Sequence, residues 1–285
     1  METTKMNARM ICFGVALTWT LVTDAAVMDA PPGRVDDFNR GWKFAKGPQD
    51  GADLASFDDS KWQPVRLPHD WAISGPYEPQ GDPLTGKLPW RGEGWYRKAF
   101  VLPESDAGKR VYLDFDGVMA MPTVFVNGKK AGGWDYGYMS FRVDASEFVK
   151  PGKTNLVVVH ADTRPHSSRW YPGAGIYRKV QLVVNEPVHI AHWGTFVTTP
   201  LVTDDSASIR IEIKLDNYTT TAVQPDVETT LRDPNGKEVA QLRLSLPVST
   251  NGASPTFLFG TPPGVGLATF TIAKPQLWDI KTPRL

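Results

Sequence analysis

The chain has 285 residues, with 31 basic and 31 acidic side chains and a formal net charge of +0. This balance argues against nucleic acid or an anionic membrane surface as the main partner, because both attract a basic patch. The length predicts about two domains, each large enough to bury a core. The chain also holds 10 tryptophans, whose rings need either a core or a flat partner.

The N-terminus has the pattern of an export signal. Lys5 and Arg9 supply the positive charge, and residues 11–22 form an apolar stretch too short to span a membrane comfortably. Small residues follow, so we expect residues 1–26 to be removed and the protein to be periplasmic or extracellular. A wrongly chosen start codon and a retained anchor helix are the alternatives. The only cysteine, Cys12, lies in this segment, so the mature chain would have no disulfide and no thiol nucleophile.

The patterns from about residue 30 onward predict β-strands. Residues 110–117 (RVYLDFDG) alternate apolar and polar side chains, which is the period of a half-buried strand. Residues 123–130 (TVFVNGKK) contain Asn127 and Gly128, which favour a hairpin turn because both tolerate positive φ. Residues 155–162 (NLVVVHAD) are apolar on both faces, as in a strand between two layers.

The pattern changes near residue 187. Residues 208–215 (SIRIEIKL) carry isoleucine and leucine on one face, and residues 227–240 predict a hairpin with Asp-Pro-Asn-Gly at its tip. Short strands at this spacing, without cysteines, indicate a small immunoglobulin-like sandwich. We therefore predict a larger β-domain over residues 27–186 and an immunoglobulin-like domain over residues 187–285. No long helical periodicity is present in the sequence.

Residue types with catalytic or metal-binding potential give weak signals. His189 and His192 lack a third ligand at a usual interval, so we predict no metal site and no cofactor. His69 and Asp70 are adjacent and could form an acid/base pair, but adjacent residues of an extended chain point to opposite faces. A loop-structuring role beside Trp71 is the favoured interpretation. No Gly-x-Ser-x-Gly elbow occurs, so a hydrolase triad has no anchor.

One tract, SSRWYPGAGIYR (residues 167–178), puts a cation and two aromatic rings beside a glycine-rich bend. Trp170 and Tyr171 either pack the corner of a sheet or form a stacking platform for a flat, hydroxylated ligand. The residues alone leave both interpretations open.

Aromatic-rich tracts occur along the chain in a distinctive order. They are FNRGWKF (38–44), FDDSKWQPVRLPHDW (57–71), GEGWYRKAF (92–100), FVNGKKAGGWDYGYMSF (125–141), SSRWYPGAGIYR (167–178) and PVHIAHWGTFVTTP (187–200). Together they resemble the N-terminal half of glycoside hydrolase family 2, in particular its β-galactosidase-like branch. The resemblance covers essentially everything after residue 34.

The resemblance implies an all-β fold, with a galactose-binding-like jelly roll followed by an immunoglobulin-like sandwich. In the family, a TIM barrel comes third and carries two catalytic glutamates. Residues 274–285 (KPQLWDIKTPRL) resemble the signature near the end of the second domain, so we expect this domain to lack its last strand and the barrel to be absent. A barrel needs about 250 residues. Glu186 follows an asparagine, as the family's acid/base does, but it is interpreted as a linker residue, and no catalytic residue is assigned.

The resemblance also suggests a substrate-binding rim. Carried over by position, Ser168, Arg169, Trp170 and Tyr171 are candidates for the rim of the subsite that receives the non-reducing sugar. Some members have an acidic residue at the Ser168 position, where it contacts the sugar and a bound cation, so serine gives no support for that cation site. The alternative remains that the two aromatic rings simply pack a corner.

The function implied is the non-catalytic N-terminal portion of a family 2 glycosidase. The complete enzyme would hydrolyse terminal β-glycosides with retention of configuration, and its expected ligand is a β-galactoside or related sugar. The expected partner is a catalytic barrel, in cis or from a second chain. The alternative is a free-standing carbohydrate-binding or scaffold protein without enzymatic activity.

Overall fold

The computed structural model describes residues 33–165, 167–250 and 264–281, and the backbone alone at residues 7–12 and 15–20. The chain forms two compact units. One comprises residues 34–184, and the other comprises residues 185–285 together with the first 33 residues. The division falls two residues before the domain boundary proposed from the sequence.

The larger unit is a sandwich of two sheets. Its strands are β3 (Gly33–Asp37), β4 (Trp42–Lys46), β5 (Gln63–Val65), β6 (Glu93–Val101), β7 (Arg110–Phe115), β8 (Thr123–Val126), β9 (Lys129–Gly133), β10 (Phe141–Asp144), β11 (Thr154–Asp162) and β12 (Val180–Asn185). One sheet has the order β10-β7-β12-β3 and the other β5-β4-β6-β11-β8-β9. Helical structure in the described ranges is limited to the 3-10 turns Pro83–Thr85 and Glu104–Asp106.

The sequence patterns explain these strands. Strand β11 lies between β6 and β8, and Val157, Val158 and Val159 are all fully buried, so both of its faces are covered. Burial of a side chain of this size contributes about 1.5–3 kcal/mol. At the β8–β9 turn, Asn127 and Gly128 have φ values of 51° and 81°, as the hairpin required.

A buried arginine fixes the long loop between β4 and β5. The side chain of Arg97, on β6, is 4% exposed, and its Nε lies 2.8 Å from Asp59 Oδ2. The same guanidinium donates hydrogen bonds to the carbonyls of Ala52 and Leu54. Because buried charge is stable only when paired, this cluster ties the loop to the sheet.

The smaller unit is also a sandwich. Strands β13 (Val188–Val202), β14 (Ser206–Asn217) and β17 (Val265–Ala273) form one sheet, whereas β15 (Asp226–Arg232) and β16 (Glu238–Ser245) belong to the other. Ile211, Ile213 and Leu215 of β14 lie in its core, as the alternating pattern predicted. The all-β fold class is therefore confirmed.

Strand β15 also pairs along its other edge. Its partner is β2 (Val15–Thr20), which in turn pairs with β1 (Asn7–Cys12). Both strands overlap the predicted export signal, residues 1–26, whose side chains lie outside the described residues. In the part of the chain that the structure describes, no helix has the length and apolar character needed to cross a membrane.

Candidate functional site

The 167–178 tract forms an irregular loop between β11 and β12, and its glycines are required by close backbone contacts. Gly175 has a φ of 106°, and its backbone N–H and C=O both bond to Met119. A Cβ at this position would overlap the hydroxyl of Tyr96 and lie 3.1 Å from the His69 carbonyl oxygen. Only glycine fits here, which explains the glycine-rich bend.

Tyr171 points inward and packs against the core of the larger unit. Its hydroxyl donates to the carboxylate of Asp70, with distances of 2.6 and 2.7 Å to the two oxygens. Burial, as the larger cause, and this hydrogen bond, as the second, raise the pKa of the Tyr171 hydroxyl well above its usual value. The ring therefore anchors the loop, with its polar end held by a carboxylate 101 residues away in the sequence.

The adjacent His69 and Asp70 side chains have different partners. His69 Nδ1 lies 2.9 Å from the hydroxyl of Tyr96, and burial lowers the pKa of the imidazole. Asp70 accepts a hydrogen bond from the backbone N–H of Ala72 in addition to that of Tyr171. The two side chains thus form no acid/base pair, and they structure the loop beside Trp71, which is the interpretation favoured from the sequence.

Trp170 points outward and is 58% exposed. Its indole Nε1–H donates to the Tyr138 hydroxyl at 2.8 Å, and its backbone N–H donates to Ser168 Oγ at 3.3 Å. Arg169 is exposed and makes no hydrogen bond or ion pair with a residue that the structure describes. Of the four predicted rim residues, Arg169 and Trp170 therefore face solvent, Ser168 is half-buried, and Tyr171 is anchored inside.

A second loop, residues 134–140, contributes to the same surface. Tyr136 and Tyr138 form an edge-to-face pair with ring centroids 5.6 Å apart. The Tyr177 hydroxyl donates to the Gly137 carbonyl at 2.8 Å and thereby joins this loop to the 167–178 tract. We call Tyr136, Tyr138, Arg169 and Trp170 the aromatic rim.

The sequence analysis missed the two tyrosines of the rim. They lie in the run GGWDYGYMS, which was used only as part of the family resemblance. The dense aromatic and glycine content of that run was the available signal, because exposed aromatic rings in a loop are suited to ligand contact.

The rim presents side chains of types that can bind a ligand. An indole face accepts the apolar face of a sugar ring, while a phenol and a guanidinium supply hydrogen bonds.

Glu186, the residue that follows an asparagine, is exposed in the connection from β12 to β13, and its carbonyl lies 2.7 Å from His189 Nδ1. This position agrees with a linker residue.

The two histidines of the HIAH run are separated by their environments. His189 is 2% exposed and stacks on Tyr218, whereas His192 is exposed and stacks on Trp193. Among the residues whose positions are described, no group of three His, Cys, Asp or Glu side chains is arranged to hold a metal ion.

The fold places the chain in the class of all-β proteins built from two successive sandwiches, and the aromatic rim lies on the first sandwich. Comparisons with known proteins then define the family. The family model for the sugar binding domain of glycosyl hydrolases family 2 matches residues 85–187. A second model, for glycosyl hydrolases family 2, matches residues 188–285. The chain belongs to glycoside hydrolase family 2, which confirms the resemblance stated from the sequence.

Individual relatives agree with this assignment. The β-galactosidase BoGH2A of Bacteroides ovatus is 38% identical over 257 residues, which cover 89% of this chain and 29% of the relative. A putative β-glucuronidase of Formosa agariphila is 31% identical, with 87% of this chain and 22% of the relative covered. The crystal structure of a family 2 member from Bacteroides cellulosilyticus matches with a TM-score of 0.78 and 31% identity, covering 87% of this chain and 32% of that chain.

The chain thus spans about a quarter to a third of the length of these relatives. It corresponds to their N-terminal portion, and its described residues contain no barrel of helices and parallel strands.

Proposed function

We propose that this chain is the sugar-recognition scaffold of a secreted family 2 glycosidase. The parent activity is hydrolysis of a terminal β-glycoside, with a β-galactoside as the first substrate class. Support comes from relatives named as β-galactosidases and β-glucuronidases, the first of which is 38% identical to this chain. The export pattern at residues 1–26 supports a periplasmic or extracellular location.

Bond cleavage in such an enzyme requires two carboxyl groups supplied by a catalytic barrel, in cis or from a second chain. In the retaining mechanism, one protonates the leaving oxygen while the other, about 5 Å from the first, attacks the anomeric carbon. The residues of this chain have a different task. They present one wall of the subsite, orient the sugar ring and exclude water from one of its faces.

The single observation that carries the proposal is the outward position of Trp170. A tryptophan that is 58% exposed leaves a large apolar face in water, although its neighbour Tyr171 is packed inside. Such a face is stabilised by a flat apolar partner, and the C–H face of a pyranose is one. The Tyr138 hydroxyl bonds to its indole, and the exposed Arg169 precedes it in the chain, so both can serve as polar groups for the sugar hydroxyls.

The test is a chimera in which this chain replaces the matching portion of the Bacteroides ovatus β-galactosidase. Hydrolysis of an aryl β-galactoside is then measured for the chimera and for two variants. Trp170→Ala should raise KM about 3- to 10-fold, because a lost stacking contact costs about 0.5–1.5 kcal/mol. Trp278→Ala is the matched control, since Trp278 is also 58% exposed but lies outside the rim.

Equal KM values for the two variants would contradict the proposal. Calorimetric titration of the isolated chain distinguishes the alternative function. One wall of a subsite should bind free galactosides with millimolar affinity or weaker, whereas micromolar binding would favour a free-standing carbohydrate-binding protein.

A further inference from the structure

The neighbouring rings of Trp170 and Tyr171 are each held by a group that is distant in the sequence. Asp70 accepts from the hydroxyl of the inward ring, and Tyr138 accepts from the indole Nε1–H of the outward ring. The second contact is unusual because an exposed indole N–H can bond to water without any protein partner. The Trp170 ring therefore has a defined orientation even though most of it is in solvent.

The loop that carries Tyr138 is held independently of Trp170. It is bonded to the 167–178 tract through the hydrogen bond from the Tyr177 hydroxyl to the Gly137 carbonyl. Gly137 approaches Met119 so closely that a Cβ on it would lie 2.5 Å from the Met119 sulfur. Because these contacts hold the backbone next to Tyr138, its hydroxyl accepts from the indole on an anchored loop.

The direction of this hydrogen bond determines which donor remains for a ligand. With its N–H occupied, Trp170 offers only the face of its ring. The Tyr138 oxygen accepts from Trp170, and its own proton donates to none of the residues that the structure describes. An accepted hydrogen bond polarises a hydroxyl and strengthens its donation, so Tyr138 presents an activated O–H beside the stacking face.

We propose that Tyr138 is a sugar-binding residue of the rim, which orients the Trp170 ring and donates its phenolic proton to a hydroxyl oxygen of the bound pyranose. This inference rests on the proposed function and deepens it by naming a residue and a proton donor. The ligand it fits is a pyranose with an acceptor hydroxyl near the edge of its stacked face.

The experiment uses the full chain labelled with 5-fluorotryptophan, so that each tryptophan gives one fluorine resonance. Trp170→Phe assigns the Trp170 resonance by its disappearance. Tyr138→Phe keeps the ring but removes the hydroxyl, and it should shift the Trp170 resonance in the absence of sugar. Tyr77→Phe is the matched control, since Tyr77 is exposed and lies outside the rim, and it should leave that resonance in place. An unmoved Trp170 resonance in Tyr138→Phe would overturn the orienting role.

Titration with methyl β-galactoside, followed at the same resonance, tests the donor role. Tyr138→Phe should need about 3- to 10-fold more sugar for the same shift, as expected for the loss of one hydrogen bond. Tyr138→Gln restores both an acceptor and a donor and should recover part of the loss. Equal titration curves for the chain and Tyr138→Phe would overturn this inference alone. Where the isolated chain binds too weakly, the same titration is run on the labelled chimera, and a Trp170 resonance that sugar moves in neither protein would overturn the proposed function as well.

Discussion

The buried Arg97 is the most informative position for testing how the larger unit is held together. Its guanidinium bonds to Asp59 at 2.8 Å, donates to carbonyls of the same loop, and lies 5.5 Å from the ring centroid of Phe57. Arg97→Met keeps most of the volume but removes every one of these donors. The variant therefore isolates the polar contribution of the cluster from its packing.

The expected loss of stability follows from the partners that lose Arg97. Removal of one member of a buried ion pair costs about 3–5 kcal/mol. Asp59 keeps the exposed Lys43 as a partner at 2.6 Å, which reduces the loss, but two loop carbonyls lose their donor. We expect Arg97→Met to lower the free energy of unfolding of the larger unit by about 3–4 kcal/mol.

The assay is urea denaturation followed by tryptophan fluorescence, because the Trp62 ring lies 6.0 Å from the Arg97 guanidinium and reports on this region. Arg164→Met is the control. Arg164 also pairs with carboxylates, but its side chain is 56% exposed, and its loss should change stability little. A loss below about 1 kcal/mol for Arg97→Met would refute the view that the cluster anchors the loop.

The remaining predictions concern the neighbourhood of the rim and the acid range. Tyr171→Phe should lower the free energy of unfolding by about 1–2 kcal/mol in urea denaturation, since Asp70 keeps the Ala72 N–H but loses its side-chain donor, and unchanged stability would contradict the anchoring role. Gly175→Ala should prevent the native packing of Tyr96, and near-ultraviolet circular dichroism identical to that of the parent chain would exclude this. Burial raises the pKa of Asp59, but hydrogen bonds from Lys43 and Arg97 outweigh it and lower the pKa overall. The stability that the Asp59 carboxylate contributes should therefore be complete above about pH 4 and be lost as the pH falls further. Asp59→Asn should weaken the dependence of Tm on pH in the acid range, and an unchanged dependence would contradict this role of Asp59.

The sequence predicted the local elements well because each depends on residues close together in the chain. The Asn127-Gly128 turn follows from the ability of both residues to adopt positive φ, and the burial of Ile211 and Ile213 follows from the period of two in β14. These properties are contained in windows of about eight residues, where pattern and structure correspond directly.

The rim was only partly predictable because its arrangement depends on distant residues. Nothing in the order Trp170-Tyr171 indicates that the first ring points outward and the second inward. That outcome is decided by Asp70 and Tyr138, which lie 101 and 32 residues away from their partners. Loop conformations of this kind are set by tertiary contacts, so the sequence could name candidate residues, whereas the orientations and anchors of their side chains come from the structure.

The most direct measurement is the turnover of aryl β-galactoside and aryl β-glucuronide by the purified chain on its own. Two sandwiches that only frame a sugar should release no phenol above the uncatalysed rate, however much protein is added. Release that scales with protein concentration in a contaminant-free preparation would mean that bond-breaking groups reside within these 285 residues and would contradict the account. Loss of that release in Glu186→Gln would identify Glu186 as one of those groups.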